Sequence, residues 1–124
     1  MPKQITDTDV SMKRGHILEK DIQRAICDWL FAEGYFFWRS NNTPIFDVRK
    51  KIYRAMPKYT PKGLPDIMII VGGRFIGLEV KTPNYWKYTD DQAMMKSNII
   101  ANGGEYHLVT SLDEAQAVMA IHRI

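Results

Sequence analysis

The spacing of apolar residues predicts an α/β fold. From about His16 to Glu33, apolar residues recur every three or four positions, which is the period of an amphipathic helix, and Gly34 follows as a typical helix stop. The aromatic stretch 35–40 is typical of a strand. Two further apolar runs on either side of Gly72-Gly73 predict a pair of strands joined by a tight turn.

The C-terminal third of the chain continues the alternation of helix and strand. Thr-Asp-Asp-Gln at 89–92 has the form of a capping box and predicts a helix that reaches about Ala101. Residues 105–110 predict a strand, and Ser-Leu-Asp-Glu at 111–114 predicts a second capping box with a terminal helix to about His122. The predicted order is α-β-β-β-α-β-α, with a mixed sheet flanked by helices.

Residues 41–62 permit two interpretations. Thr43-Pro44 suits an N-cap followed by Pro at the first helical position, and helical spacing is present at Ile45, Val48, Ile52 and Met56. The same segment, as Phe-Asp-Val-Arg-Lys-Lys-Ile-Tyr-Arg at 46–54, equally suits a short basic hairpin. The pattern does not decide between the two.

Composition narrows the class of protein. The chain has 124 residues, 45% hydrophobic and 25% charged, which suits one compact domain over 15–124 after a flexible N-terminal arm over 1–14. No apolar stretch is long enough to cross a bilayer and no signal peptide is present, so we expect a cytoplasmic protein without a membrane partner. Cys27 stands alone, which excludes an internal disulfide.

Basic residues cluster between Thr43 and Lys62, although the net charge is only +3. Aromatic residues lie among them, and this mixture suits a polyanion whose bases can stack. The alternative is a solvated loop with ordinary lysines. The six basic residues of the segment are Arg49, Lys50, Lys51, Arg54, Lys58 and Lys62.

The register of the predicted hairpin places two acids opposite each other. If Gly72-Gly73 forms a two-residue turn, Asp66 faces Glu79 on one side of the sheet. Like charges in such a pair destabilise a sheet, so a divalent cation held by both carboxylates is the simple explanation. Because side chains alternate along a strand, Lys81 points to the same side.

A third acid can join this pair from the first helix. On a helical wheel Glu19 lies between Ile26 and Leu30, inside the apolar stripe, where an acid needs a partner. The alternative is a helix rotated so that Glu19 lies at the rim, with other apolar residues facing inward: Leu18, Ile22, Ala25 and Trp29.

These residues resemble the PD-(D/E)xK nuclease superfamily, and more closely the VRR-NUC family, the virus-type replication-repair nuclease domain. The similar stretches span about residues 17–110 and imply a restriction-endonuclease-like core in a stand-alone member of phage or bacterial type. They are Glu19 with Gln23, Trp38-Arg39-x-Asn41, Gly63-x-Pro65-Asp66-Ile67, Gly77-Leu78-Glu79-Val80-Lys81-Thr82, Thr89 with Gln92, and Gly103-Gly104.

The resemblance implies an endonuclease that depends on Mg²⁺ or Mn²⁺ and needs no organic cofactor. Lys81 is expected to position or deprotonate the attacking water and to stabilise charge on the phosphate. Gln92 is expected near the site, although position N3 of a capping box also favours Gln for backbone reasons. The implied catalytic residues are Asp66, Glu79, Lys81 and Gln92, and the implied metal ligands are Glu19, Asp66, Glu79 and the carbonyl of Val80.

Further residues are expected to contact DNA. They are Arg39 and Asn41 at the end of the first strand, Arg49, Lys50, Lys51, Arg54 and Lys62 in the basic segment, and Trp86 and Lys87 beyond the Glu-x-Lys strand. The alternatives are ordinary polarity at a strand end and loop aromatics packed against the domain or a second subunit.

Stand-alone members of the family and the similar archaeal junction resolvases act as dimers. The resemblance therefore implies a homodimeric, structure-selective nuclease for branched DNA such as a Holliday junction, in a bacterium or a phage-infected host. One alternative is a restriction-like or nicking nuclease without branch preference. Others are a non-catalytic DNA-binding module of a replication or repair complex, and an interaction domain that docks through 43–62.

Overall fold

The computed structural model describes residues 18–40, 46–53, 58–84 and 87–122. Within these ranges the elements are α1 (Glu19–Glu33), β1 (Phe36–Arg39), β2 (Phe46–Asp47), β3 (Ile52–Tyr53), β4 (Ile67–Val71), β5 (Arg74–Val80), α2 (Asp90–Ala101), β6 (Glu105–Val109) and α3 (Leu112–Ala120). The predicted order α-β-β-β-α-β-α is confirmed, with β2 and β3 added between the first two strands of the main sheet. The predicted arm at 1–14 and the predicted helix start at about His16 lie outside the described residues.

The main sheet is mixed and has the strand order β1-β4-β5-β6. β1, β4 and β5 are antiparallel neighbours, whereas β6 runs parallel to β5 because α2 forms the crossover between them. β2 and β3 form a separate antiparallel pair, so the hairpin interpretation of 46–54 is confirmed for the described residues and the helical one is wrong. Lys51 has a φ of 55°, a left-handed conformation that a right-handed helix excludes.

The turn between β4 and β5 has the predicted length and register. Gly72 and Gly73 have φ angles of 56° and 81°, as a type I′ turn requires at both central positions. Val71 therefore pairs with Arg74, and the ladder continues in step to Ile67 and Leu78. This register decides which side chains share a face of the sheet.

One face of the sheet holds the apolar core, which α1 and α3 cover. Fully burying an aliphatic side chain contributes about 1.5–3 kcal/mol, so this face supplies most of the stability of the fold. The core residues are Ile22, Ile26 and Leu30 of α1, Ile67 and Ile69 of β4, Ile76, Leu78 and Val80 of β5, Val109 of β6, and Ala115 and Met119 of α3.

The opposite face, which we call the acid face, is covered more thinly by α2. None of the residues of α2 is buried, and Met94 and Ile100 are 69% and 52% exposed. The helix begins with the predicted capping box, since the Thr89 hydroxyl accepts from the Gln92 N–H and the Gln92 side chain accepts from the Thr89 N–H. The capping box at its start and a few close contacts therefore hold α2 in place.

The second predicted capping box is only half present. The Ser111 hydroxyl accepts from the Glu114 N–H at 3.1 Å. The Glu114 carboxylate, however, accepts from the backbone N–H and the hydroxyl of Thr110, one residue before the expected partner. The start of α3 is thereby fastened to the end of β6.

Two histidines that the sequence left without a role contact Glu105 at the start of β6. Nε2 of His107 lies 2.7 Å from Glu105 Oε1, and Nε2 of His122 lies 3.0 Å from Glu105 Oε2. Arg74 donates to the same carboxylate at 3.2 Å. Although burial opposes the shift, these three contacts hold the pKa of Glu105 below its ordinary value. The cluster has a structural role at the far end of β5 from the paired acids.

Candidate active site

Asp66 and Glu79 meet on the acid face, as the hairpin register predicts. Asp66 directly precedes β4, and Glu79 is the last residue but one of β5. Oδ2 of Asp66 accepts from the backbone N–H of Val80 at 2.8 Å, which extends the pairing of the two strands by one side-chain bond. The two carboxyl groups are close enough for each to influence the pKa of the other.

Burial makes this pair of acids electrostatically unusual. Glu79 is only 4% exposed. Burial, followed by the negative charge of Asp66, raises the pKa of Glu79 to about 8. Burial also raises the pKa of Asp66, although its bond from the Val80 N–H opposes the shift. Even with Lys81 beside it, the pair therefore retains a proton near neutral pH when no cation is bound.

Lys81 supplies one positive charge at the rim of the pair. Its Nζ lies 3.6 Å from Glu79 Oε2, and its side chain is 15% exposed. The backbone N–H of Lys81 donates to the Val109 carbonyl at 3.0 Å, which fixes the strand end that carries Glu79 and Val80. The ammonium group lies on the side of the sheet that period-two alternation predicts.

Gln92 combines the two roles between which the sequence could not choose. Its Oε1 accepts from the Thr89 N–H at 2.9 Å and completes the capping box. Its Nε2 donates to Glu79 Oε2 at 2.9 Å. The two ends of one amide thus join the start of α2 to the acid pair.

Close packing around two glycines holds the acid-bearing segments together. A Cβ on Gly63 would lie 2.3 Å from the Asp91 carbonyl oxygen, so the segment before Asp66 rests on the first turn of α2. A Cβ on Gly77 would lie 2.5 Å from Cγ of Pro65. Larger residues at either position would push Asp66 or α2 away from the sheet.

Tyr106 is a neighbour of the site that the sequence did not reveal. It lies in β6 beside Gly77 of β5, is 2% exposed, and its hydroxyl donates to the Gly63 carbonyl at 3.0 Å. Burial raises the pKa of Tyr106, and the charge of Glu79 adds to the shift, so the hydroxyl remains a donor. The position of Tyr106 in the sequence could have revealed it. Side chains alternate along a strand, and in a strand parallel to β5 this alternation puts residue 106 on the acid face.

Glu19 is not buried as the helical wheel predicted. It is exposed, whereas Ile22, Ile26 and Leu30 are buried. The physical reason is that Glu19 begins α1, one turn before the first buried residue, so its angle within the stripe does not bring it under the sheet. Among the described residues, no group of three or more His, Cys, Asp or Glu side chains is placed to hold a metal ion.

The structure places most of the residues expected to contact DNA at the surface. Arg39 is exposed and donates to Gln23 Oε1 at 3.2 Å. The other exposed members of the set are Arg49, Lys50, Lys51, Lys62 and Lys87. Three further members, Asn41, Arg54 and Trp86, lie outside the residues whose side chains the structure describes.

An open groove of about 840 Å³ adjoins the end of the Glu-x-Lys strand. Leu108, which pairs with Glu79 across the two strands, lines its floor. The other lining residues are Pro83, Lys87, Tyr88, Thr110 and Glu114. The paired acids do not line this groove, and Leu108 is the neighbour of Glu79 that connects the two.

Comparison with known proteins gives evidence on the fold. No protein-family model matches the chain, and no curated protein matches it. A solved structure named "VRR_NUC domain protein" is similar over 86% of this chain and 88% of that chain, with a TM-score of 0.63 and 16% sequence identity. No helix among the described residues is long and apolar enough to span a membrane. The predicted α/β core is confirmed, and its fold is similar to that of this VRR_NUC domain protein.

Proposed function

We propose that this protein is a metal-dependent, structure-selective DNA endonuclease that hydrolyses phosphodiester bonds. The observation that supports the proposal is the buried pair of Asp66 and Glu79 with Lys81 beside it. Two acidic side chains that repel each other in a largely buried site lower the stability of the folded protein. A purely structural role therefore explains them poorly. A cation and a phosphate explain both the acids and the lysine.

The donor set suits Mg²⁺ or Mn²⁺. Hard divalent cations take carboxylate and carbonyl oxygens, and Mg²⁺ in particular uses one or two carboxylates and keeps positions for water and phosphate. Asp66 and Glu79 are such a pair; burial raises the pKa of both, and a cation beside them would favour their charged forms. The residues that would hold the ion are Asp66, Glu79 and the carbonyl of Val80. A bound cation would act as a Lewis acid and lower the pKa of a water molecule.

The chain's own side chains complete the site. Lys81, 3.6 Å from Glu79, is placed to stabilise the negative charge that develops on the phosphate. Gln92 holds the Glu79 carboxylate through its amide N–H. In the reaction, water forms a new bond to phosphorus, the bond to the 3′ oxygen breaks, and that oxygen takes a proton. The products carry 5′-phosphate and 3′-hydroxyl ends.

We place the DNA path along the exposed basic residues and the groove. The β2–β3 hairpin presents Arg49, Lys50 and Lys51 at its turn. Tyr59 is 89% exposed, and Lys58 lies 5.2 Å from the centroid of its ring, so an aromatic face and positive charge occur together. Such surfaces bind phosphate backbones and stack on unpaired bases.

A homodimer acting on branched DNA such as a Holliday junction fits this proposal. Phe36 and Trp38 of the edge strand β1 and Ile70 of the neighbouring β4 share the acid face. They are 67%, 39% and 37% exposed and form an apolar surface that a second subunit would cover. Two sites related by a two-fold axis would cut two strands of a junction symmetrically. Substituting Phe36 by Glu should then convert the dimer to a monomer in light scattering.

One experiment tests the activity. The protein is incubated with labelled four-way junction, flap, single-stranded and linear duplex DNA, in Mg²⁺, Mn²⁺ or EDTA. We expect metal-dependent cutting that favours branched substrates and disappears in Asp66→Asn and Lys81→Ala, while Lys81→Ala still binds DNA. Lys20→Ala, which removes an exposed lysine of α1, is the matched control and should cut normally.

The other outcomes separate the alternatives. Equal cutting of linear and branched duplexes would indicate a restriction-like or nicking nuclease. Binding without cutting in any metal would indicate a non-catalytic module and refute the proposed activity. Preferential cutting of an RNA version of the same substrates would move the substrate class from DNA to RNA.

A further inference from the structure

The phenol of Tyr106 lies between the two segments that carry the paired acids. On one side its neighbour in the sheet is Gly77, two residues before Glu79. On the other side its hydroxyl donates to the carbonyl of Gly63, three residues before Asp66, over a separation of 43 positions in the chain. The side chain is 2% exposed, so water does not compete freely for this bond.

The surroundings of Tyr106 leave its ring little freedom. The ring of Tyr88 packs edge-on against it with 5.7 Å between the ring centroids. Lys96 of α2 donates to the Tyr88 hydroxyl at 3.3 Å and lies 4.7 Å from the centroid of that ring. Tyr106 is therefore a fixed point to which the Gly63 segment is attached.

Gly63 transmits this constraint in two directions. Its backbone has a φ of +78° and lies against the Asp91 carbonyl, so a displaced Gly63 would also displace the first turn of α2, where Gln92 holds Glu79. Towards its C-terminal side it leads through Pro65 to Asp66, whose carboxylate reaches the Val80 N–H. Both acids thus depend on the position of one carbonyl group.

We propose that Tyr106 is a positioning residue of the site: its hydroxyl anchors Gly63 and thereby sets the separation of the Asp66 and Glu79 carboxylates. The inference rests on the proposed nuclease function for its catalytic consequence. Its structural part, the dependence of Asp66 on the Tyr106 hydroxyl, holds whether or not the protein cuts DNA.

Tyr106→Phe tests the proposal because it removes the hydroxyl and keeps the ring. Tyr35→Phe is a matched control, since the Tyr35 hydroxyl is also buried but makes no hydrogen bond within the described part of the chain, and its ring packs on Trp29. Two quantities are measured in each variant. The first is the single-turnover cutting rate as a function of Mg²⁺ concentration, and the second is the amide signal of Val80 in metal-free protein.

For Tyr106→Phe we expect a cutting rate about tenfold lower, equivalent to about 1.4 kcal/mol in the activation barrier, and a higher Mg²⁺ requirement. DNA affinity should stay within about twofold, because the hydroxyl is buried and bonded to the Gly63 carbonyl. The Val80 amide should shift and exchange faster with solvent, since its bond to Asp66 loosens. Tyr35→Phe should change none of these.

Three results would overturn the inference. They are an unchanged Val80 amide in Tyr106→Phe, an unchanged rate despite a shifted amide, and a rate loss that Tyr35→Phe reproduces. If wild-type protein cuts no substrate, the proposed function falls separately, and the comparison of Val80 amides still supports or overturns the link between Tyr106 and Asp66.

Discussion

Gln92 donates through Nε2 to Glu79 at 2.9 Å while its Oε1 accepts from the Thr89 N–H at the same distance. The capping bond therefore fixes the orientation of the Gln92 amide. In that orientation its NH2 group points to Glu79. A residue that is ordinary by the rules of helix capping is in this way also a direct neighbour of the acid pair.

Gln92→Glu separates these two roles. Glutamate at N3 can still accept from the Thr89 N–H, so we expect α2 to form and circular dichroism to be unchanged. Its second oxygen replaces a donor by a negative charge next to Glu79, and cutting should fall by about 10- to 100-fold. Asp113→Asn, an exposed first-turn substitution in α3, should leave activity intact; a similar loss there would point to a general effect of helix stability.

Glu79 should make the metal-free protein less stable as the pH rises. Its pKa is raised from 4.5 to about 8, so the folded state binds this proton more tightly than the unfolded chain does. Stability is then lost as the pH increases through that interval, and the loss is complete above it. Glu79→Gln removes the penalty, and in EDTA at high pH it should be more stable than wild type by roughly 2–4 kcal/mol.

Denaturant unfolding in EDTA at several pH values measures this effect. The two proteins should converge near pH 4, where both the folded and the unfolded chain hold the proton. Added Mg²⁺ should stabilise wild type and not Glu79→Gln, because a ligand of the folded state stabilises it by mass action. Glu33→Gln, which removes an exposed carboxylate at the end of α1, is the control variant.

Gly63→Ala should lower stability and cutting activity by more than the strain of its positive φ alone explains. Gly63 and Gly73 have φ angles of +78° and +81°, so an Ala at either position costs about 1–2 kcal/mol of backbone strain. Only at Gly63 would the new Cβ meet backbone, 2.3 Å from the Asp91 oxygen, whereas at Gly73 nothing lies within 4 Å. Thermal melts should show the larger loss for Gly63→Ala, and only that variant should lose cutting activity. Equal losses in the two variants would contradict the packing of this segment on α2.

The basic hairpin should control the salt dependence of DNA binding. Replacing Arg49, Lys50 and Lys51 by Gln should weaken binding and lower the slope of log K against log salt by about 0.9 for each phosphate that the protein no longer neutralises. Arg74→Gln is the control, because Arg74 begins β5 at the end far from Glu79. An unchanged salt slope in the triple variant would place the DNA path elsewhere.

How much of this structure the sequence predicts depends on how far apart in the chain the contacting residues lie. The β4–β5 register followed from two glycines and period-two alternation, which are local, and it placed Asp66 and Glu79 correctly. The buried position predicted for Glu19 was wrong. A helical wheel gives the angle of a side chain around the helix, but it does not show which end of the helix extends past the sheet. Gln92 could not be decided, since its cap is local whereas its bond to Glu79 is not. Tyr106 was missed because its partner lies 43 positions away.

Because α2 is packed thinly on the sheet, the proposed activity can be lost before the whole protein unfolds. This helix buries no residue, so detaching it from the sheet would expose little apolar surface to water. Local opening of α2 withdraws Gln92 and leaves the core beneath α1 and α3 intact. Amides of α2 should therefore exchange with deuterium well before those of α1, and mild heating should reversibly abolish the proposed cutting at temperatures where calorimetry still records a native molecule.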